Sequence, residues 1–158
     1  MKKVAIIGGG ILGLAIGYKL SKRSKEFKVS IFEKESEFGC HQSGRNSGVL
    51  HCGLSYKPKS LKAQLAVSGI REMIDFCKDH NIAFDQCGKV VVATNSLEEV
   101  YLNDLAKRGK SNGLDNLKFL DKRELIKKEP YIRATKALYV PDEGIVDFKG
   151  VMKILVEL

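Results

Sequence analysis

The chain has 158 residues, enough for one well-cored domain or for one domain carrying a smaller appendage. Its 44% apolar and 29% charged residues, with only three prolines, exclude a disordered or fibrous chain. Twenty-seven Lys and Arg against nineteen Asp and Glu leave a net charge of +8, which suits a nucleic acid, an acidic membrane surface or an anionic substrate, and equally a set of solvated basic faces.

No stretch approaches the roughly 18 apolar residues of a membrane span, and residues 4–7 are too short for the apolar part of a secretory leader, so the chain is expected to fold in the cytoplasm. Cys40, Cys52, Cys77 and Cys87 lie 12, 25 and 10 positions apart, matching neither a Cys-x-x-Cys motif nor a tandem zinc pattern. They read as reduced thiols. Lys19, Lys22, Arg23, Lys25 and Lys28 fall on and just after the first expected helix, where basic side chains complement the C-terminal dipole.

Residues 4–7, Val-Ala-Ile-Ile, stop at three glycines and have the pattern of a strand buried on both faces. Residues 11 to about 25 carry Leu12, Leu14, Ala15, Ile16, Tyr18 and Leu20 and are expected as a helix on a sheet, after which residues 29–32 resume the strand pattern. This is a β-α-β unit with parallel strands and a right-handed crossover. Residues 39–60 show neither period, and an irregular segment of that length is usually functional. A helix capped by Ser60 then runs to about His80, with Leu61, Leu65, Ile70, Met73, Ile74 and Cys77 as its apolar stripe.

Residues 88–94 read as a strand, and Ser96 with Glu99 as the capping box of a helix to about Lys107. Residues 117–120 form another strand; Asp121 and Glu124 cap a short helix that Leu120 and Leu125 staple and Pro130 ends. Residues 137–140 are a further strand. Asp147 caps a last helix whose Val151, Ile154, Leu155 and Leu158 run to the final residue without a terminating Gly, Asn or basic cap, so the chain is expected to be a fragment.

Gly8-Gly9-Gly10-Ile11-Leu12-Gly13 matches G-x-G-x-x-G between a strand and a helix, the context that gives this pattern its force. Gly8 permits the tight turn, Gly10 lets backbone approach a pyrophosphate, and Gly13 lets the helix pack closely on the sheet. The pyrophosphate is then placed on the positive end of the helix, over the N–H groups that follow Gly10, those of Ile11 and Leu12. Glu33, twenty residues after Gly13 and ahead of Lys34, is placed to accept hydrogen bonds from both ribose hydroxyls, and its charge disfavours a 2′-phosphate. NAD and FAD share this ADP-binding device, and the motif leaves both open.

The run from His41 to Ala63, beginning His-Gln-Ser-Gly-Arg-Asn-Ser-Gly-Val-Leu-His-Cys-Gly-Leu-Ser-Tyr-Lys-Pro, resembles the signature of the L-2-hydroxyglutarate dehydrogenase or oxidase family, within the D-amino-acid-oxidase-like FAD enzymes. The resemblance extends to Glu129-Pro130 and to residues 140–147, Val-Pro-Asp-Glu-Gly-Ile-Val-Asp, and so covers essentially the whole chain. It implies FAD as cofactor, with Ser43, Arg45, Asn46, Ser47, Gly48, Val49 and Leu50 lining the pyrophosphate, ribityl chain and flavin. Small residues let the chain follow the cofactor closely, while Ser43 and Asn46 also suit ordinary turn chemistry.

His51 follows this segment directly and is the candidate base, or carboxylate-binding cation, at the flavin. Tyr56, Lys57 and Lys62 are candidates for holding substrate carboxylates. The mirrored pairs Cys40-His41 and His51-Cys52 invite a metal reading, but adjacent residues of an extended chain point to opposite sides and the spacing is unlike zinc sites, so no metal is expected.

The expected fold is α/β: a Rossmann-like FAD-binding domain with a parallel sheet, formed by residues 1–83 and rejoined at 145–158, with residues 84–144 as the beginning of an inserted α+β substrate domain. The family implies oxidation of L-2-hydroxyglutarate to 2-oxoglutarate by hydride transfer to flavin, with a quinone or oxygen as electron acceptor. It leaves room for peripheral association at the inner face of a membrane. Alternatives are a related FAD enzyme acting on another hydroxy acid, an amino acid or glycerol 3-phosphate, or a nucleotide-binding fragment with no catalysis of its own. Nucleic acid is not an expected partner, because the aromatic residues are scattered rather than gathered on a basic face.

Overall fold

In the computed structural model, which describes residues 1–158, β1 (Lys2–Ile7) is followed by α1 (Ile11–Ser21) and β2 (Phe27–Phe32). The two strands pair in parallel from Lys2 opposite Phe27 to Ile7 opposite Phe32. One face is covered by α1, where Gly17 lies against Ile31 and Ile6. The burial expected on both faces holds on one only: Val4 and Ile6 are half-buried, whereas Ile7 is 83% and Phe32 57% exposed. Lys3, Lys28 and Ser30 share that second face, so the β-branched run determines a strand without determining a second cover. α1 also stops at Ser21 rather than near residue 25. The Ser21 hydroxyl donates to the Tyr18 carbonyl, and the Arg23–Glu26 ion pair, at 2.6 Å, closes the turn into β2.

A 3-10 turn at Gln42–Gly44 and the two-residue β3 (Val49–Leu50) are the regular pieces of the loop that follows. α2 (Leu61–Asp79) begins where Ser60 Oγ accepts the Ala63 N–H. It ends with Asn81 in the left-handed region and the Ile82 N–H on the Cys77 carbonyl. Its buried stripe is Ala63, Ile70, Ile74 and Cys77; Leu61 and Leu65, expected on it, are exposed because the buried positions repeat at 7, 4 and 3 residues from Ala63.

β4 (Phe84–Asp85) and β5 (Lys89–Ala93) lead to α3 (Ser96–Ser111). Its cap is Asn95, one residue before the expected Ser96: Asn95 Oδ1 accepts the Glu98 N–H, and the Glu98 carboxylate accepts the Thr94 N–H and hydroxyl. The helix passes Lys107 because Gly109 is buried within it against Leu54 and Leu117. β6 (Lys118–Leu120), α4 (Lys122–Lys128) with its Asp121–Glu124 capping box, β7 (Lys136–Val140), β8 (Gly144–Val146) and α5 (Phe148–Glu157), capped by Asp147, complete the chain.

The chain forms two compact units. The first, Met1–Gly48 with Cys77–Ala83 and Val146–Leu158, is the parallel β1–β2 layer with α1, against which α5 packs. The second, Val49–Phe76 with Phe84–Ile145, holds two three-stranded sheets, ordered β3-β8-β4 and β5-β7-β6. β7 pairs antiparallel with both of its neighbours, α3 and α4 pack on this sheet, and Leu120, Leu125 and Ala137 form a buried cluster there. Leu138, in the middle of β7, is fully buried. Replacing it by Ala should destabilise the chain by about 2–5 kcal/mol, by lost transfer energy and a residual cavity. Urea unfolding checks this: the midpoint should fall with an unchanged slope.

Candidate functional site

The turn between β1 and α1 is built around close approach. Gly8 has φ +105°, a conformation that costs glycine little, and a Cβ on Gly13 would overlap the Gly8 carbonyl oxygen. A Cβ on Gly10 would lie 3.0 Å from Ser43 Oγ, which itself accepts the Ile11 N–H at 3.0 Å. The first turn of α1 contains no acidic residue, so its N–H groups keep their positive end available to an anion. Leu12 points outward and is 77% exposed.

Glu33 stands beside this turn. Its Oε2 accepts the Gly9 N–H at 2.7 Å, and its Oε1 accepts the N–H groups of Lys34 at 2.8 Å and Glu35 at 3.1 Å. The N–H of Glu35 first, then that of Gly9, hold the carboxyl below its ordinary value of 4.5; desolvation opposes them, and Lys34 and the charge of His41 add to the lowering. Phe38, which the sequence reading did not select, lies against Gly9 and in the wall of a groove of about 500 Å³ that also takes in Arg45, Lys149 and Met152. A lone aromatic in a Gly- and Ser-rich loop carries no pattern that would have marked it.

The rest of the expected cofactor segment divides. Asn46 is engaged in turn chemistry, donating to the Gln42 and Ser43 carbonyls and accepting the Gly48 N–H, while Arg45 and Ser47 are exposed. Val49 and Leu50 pair with Ile145 and Gly144, and the Leu50 side chain is buried, so backbone rather than side chain is what Leu50 presents. Lys62 Nζ lies 4.3 Å from the centre of the Tyr56 ring, bringing two of the three substrate candidates together. The Lys57 carbonyl closes the Ser60 cap, and its side chain is exposed. Asn112 Nδ2 donates to the Gly53 and Tyr56 carbonyls, and Arg108 donates to the Ser55 carbonyl, so α3 fixes this loop.

His51 is exposed, with Nδ1 3.7 Å from Oε2 of Glu143. Glu143 is 2% exposed; Lys89 Nζ lies 2.7 Å from the same oxygen and Cys52 Sγ 3.5 Å from Oε1. Burial first, then the Glu143 charge, push the Cys52 thiol up to about 12, so it stays protonated at neutral pH. Cys40 instead donates to the Glu37 carbonyl and His41 pairs with Glu35 at 3.1 Å, so the two Cys-His pairs are turned to different partners. The Glu143 cluster joins residues 91 positions apart, a pairing that sequence spacing does not reveal.

Residues 3–158 match the family described as FAD dependent oxidoreductase. The chain belongs to that family. An L-2-hydroxyglutarate dehydrogenase of Dictyostelium discoideum is 47% identical over 152 residues, covering 95% of this chain and 34% of that protein. One from Indibacter alkaliphilus is 48% identical over 147 residues, covering 93% and 37%, and the human mitochondrial one is 40% identical over 148 residues, covering 94% and 32%. The chain thus spans about a third of the length of these curated relatives. Among solved structures, an FAD-bound L-alpha-glycerophosphate oxidase from Mycoplasma pneumoniae superposes with a TM-score of 0.87 at 28% identity, covering 99% of this chain and 42% of that one. A glycine oxidase from Geobacillus kaustophilus gives 0.83 at 27%, covering 98% and 44%.

FAD is the cofactor of this family, and the α/β fold with its parallel β1–β2 pair is that of its solved members. The residues present fit its ADP half: a glycine cradle that a side chain would fill, a helix start free of acidic residues, and an ionised acid at the end of β2. Because the carboxyl of Glu33 is held below its ordinary value when folded, its stabilising bonds are complete above 4.5 and are lost as pH falls through the lowered value. The difference in thermal midpoint between wild type and Glu33→Gln should therefore be constant from neutrality down to about the ordinary carboxylate range and shrink only below it. Melting curves across that range test it, and an unchanged difference at strongly acid pH would contradict the assignment.

Proposed function

We propose that this chain is the N-terminal part of a longer flavoprotein that oxidises L-2-hydroxyglutarate to 2-oxoglutarate. Identity of 40–48% to L-2-hydroxyglutarate dehydrogenases, over more than nine-tenths of the chain, carries the choice of substrate. The glycerophosphate and glycine oxidases are alike in fold but only 28% and 27% identical, which favours the hydroxy acid over glycerol 3-phosphate or an amino acid. In this reading residues 1–83 and 145–158 belong to the FAD-binding domain, and 84–144 begin the substrate domain. The net charge of +8 supports a dianionic substrate and a peripheral place at the inner, anionic face of a membrane, with a quinone or oxygen as final electron acceptor. No helix is long and apolar enough to cross a membrane.

Gly8, Gly10, Ile11, Leu12 and Gly13 hold the pyrophosphate on the start of α1. Glu33, with Lys34 beside it, takes the adenosine ribose, exchanging its bond from Gly9 for ribose hydroxyls. Ser43, Arg45, Asn46, Ser47 and Gly48, with the backbone of Val49 and Leu50, follow the ribityl chain and flavin. The flavin, when bound, supplies the acceptor for the two electrons and the hydrogen that leave the substrate carbon. His51 takes the hydroxyl proton as general base, and Tyr56, Lys57 and Lys62 hold the substrate carboxylates.

Two measurements test this reading. Gly10→Val should abolish FAD retention, since even a Cβ lies 3.0 Å from Ser43 Oγ, while circular dichroism stays that of the folded chain; normal FAD binding would move the pyrophosphate away from Gly10. Anaerobic addition of L-2-hydroxyglutarate should bleach the flavin of the longer protein and leave that of FAD-loaded 158-residue chain unbleached, because positioning of the donor carbon is incomplete there. Equal bleaching would show that residues 1–158 hold the whole active site.

A further inference from the structure

Glu143 lies on the turn that joins β7 to β8, and the register of the sheet determines what faces it. Leu50 pairs with Gly144 at the end of the antiparallel β3–β8 ladder, so His51 and Glu143 are the residues that next follow it on the two strands. The end of the ladder thus brings this carboxylate and this imidazole close together, Nδ1 to Oε2 at 3.7 Å. The Gly88 N–H on the Glu143 carbonyl, at 2.9 Å, holds the turn from its other side.

A buried carboxylate needs a compensating partner, and the Lys89 ammonium 2.7 Å away is that partner from β5. Cys52 donates its thiol to Oε1 and stays protonated, adding no second negative charge. Oε2 has no hydrogen bond of good angle despite Lys89, and it is the oxygen that His51 Nδ1 approaches to 3.7 Å. Such catalytic contacts are commonly long in a ligand-free site and shorten when substrate is held.

We propose that Glu143 is a positioning residue for His51: it receives the Nδ1–H of the imidazole and so selects the tautomer whose Nε2 is free to act as base. The proposal rests on the reading of His51 as the base. In the step it serves, the substrate O–H bond breaks and its proton passes to Nε2; the electron pair of that bond becomes the second C–O bond of 2-oxoglutarate; and the hydrogen leaves the carbon with its bonding pair for the flavin. The imidazolium so formed has Glu143 at its other nitrogen. This is the division of labour by which a carboxylate holds a catalytic histidine in one tautomer.

The test is nitrogen-15 NMR of histidine-labelled 158-residue chain at a pH where imidazole is neutral, with the His51 signals assigned by His51→Asn. An imidazole with no partner at Nδ1 favours the proton on Nε2; His51 is expected to show the reverse, an excess of the Nδ1–H form, and Glu143→Leu to invert that ratio. An excess of the Nε2–H form in the wild type overturns the proposal without recourse to any variant, as does a ratio unmoved by Glu143→Leu. In the longer flavoprotein, Glu143→Leu should lower kcat on the order of 10- to 100-fold with little change in KM, and have no further effect in a His51→Asn background. An equal loss in both backgrounds marks a merely structural role and overturns it. If the wild-type protein fails to oxidise L-2-hydroxyglutarate, the substrate reading falls while the tautomer ratio still decides the role of Glu143.

Discussion

The reversal from β1 into α1 depends on a contact that leaves no room for a side chain: Gly13 sits directly against the carbonyl of Gly8. That contact determines how far along the strand axis the helix can start, and with it where the first free N–H groups of α1 stand. Everything around the turn is arranged with respect to those groups. Ser43 reaches Ile11 across 32 residues and Glu33 reaches Gly9 across 24, so the end of β2 and the long irregular loop are both tied to the same short stretch of backbone. A bulkier residue at position 13 would shift the helix and loosen both ties together.

Charge is managed differently in the two units. At the glycine turn a half-buried carboxylate is kept ionised mainly by backbone N–H groups, which leaves it able to exchange one N–H partner for another donor. At the β7–β8 turn a buried carboxylate lies against an ammonium group, and the same oxygen faces one imidazole. The first arrangement suits reversible capture of a hydroxyl-bearing ligand; the second suits a fixed orientation. Several basic residues outside these sites lie over aromatic rings: Lys22 over Tyr18, Arg23 over Phe27 and Lys128 over Tyr139.

Local chemistry was legible in the sequence wherever it acts over a few residues. The glycine turn shows as a local motif, and the Ser60 and Asp147 caps and the Asp121–Glu124 capping box are set by side chains within four positions of their partners. The one-residue shift from Ser96 to Asn95 is of the same kind, because both sequences of residues satisfy the capping pattern and the reciprocal Glu98–Thr94 bonds decide between them. What did not show was set by distant partners. Whether β1 is covered on one face or two, and which of Leu61, Leu65, Ile70 and Ile74 turn inward, depends on what packs there. The Glu143 cluster gathers residues just beyond the ends of β3 and β8, and a two-residue strand such as β3 is hardly announced in the sequence.

The first unit is assembled from three separated stretches of chain, and its α1 packs on α5, whose residues follow those of the second unit in the chain. Roughly 100 residues separate Gly48 from Val146, and at about 5–20 residues per second a ribosome takes on the order of 5–20 s to synthesise them. For that interval α1 exists without α5, its neighbour in the first unit, while the second unit has all its residues once Ile145 is made. The glycine turn is therefore made before the second unit but gains α5 only after it, and in that interval the face of α1 that α5 covers is the natural place for a chaperone to wait.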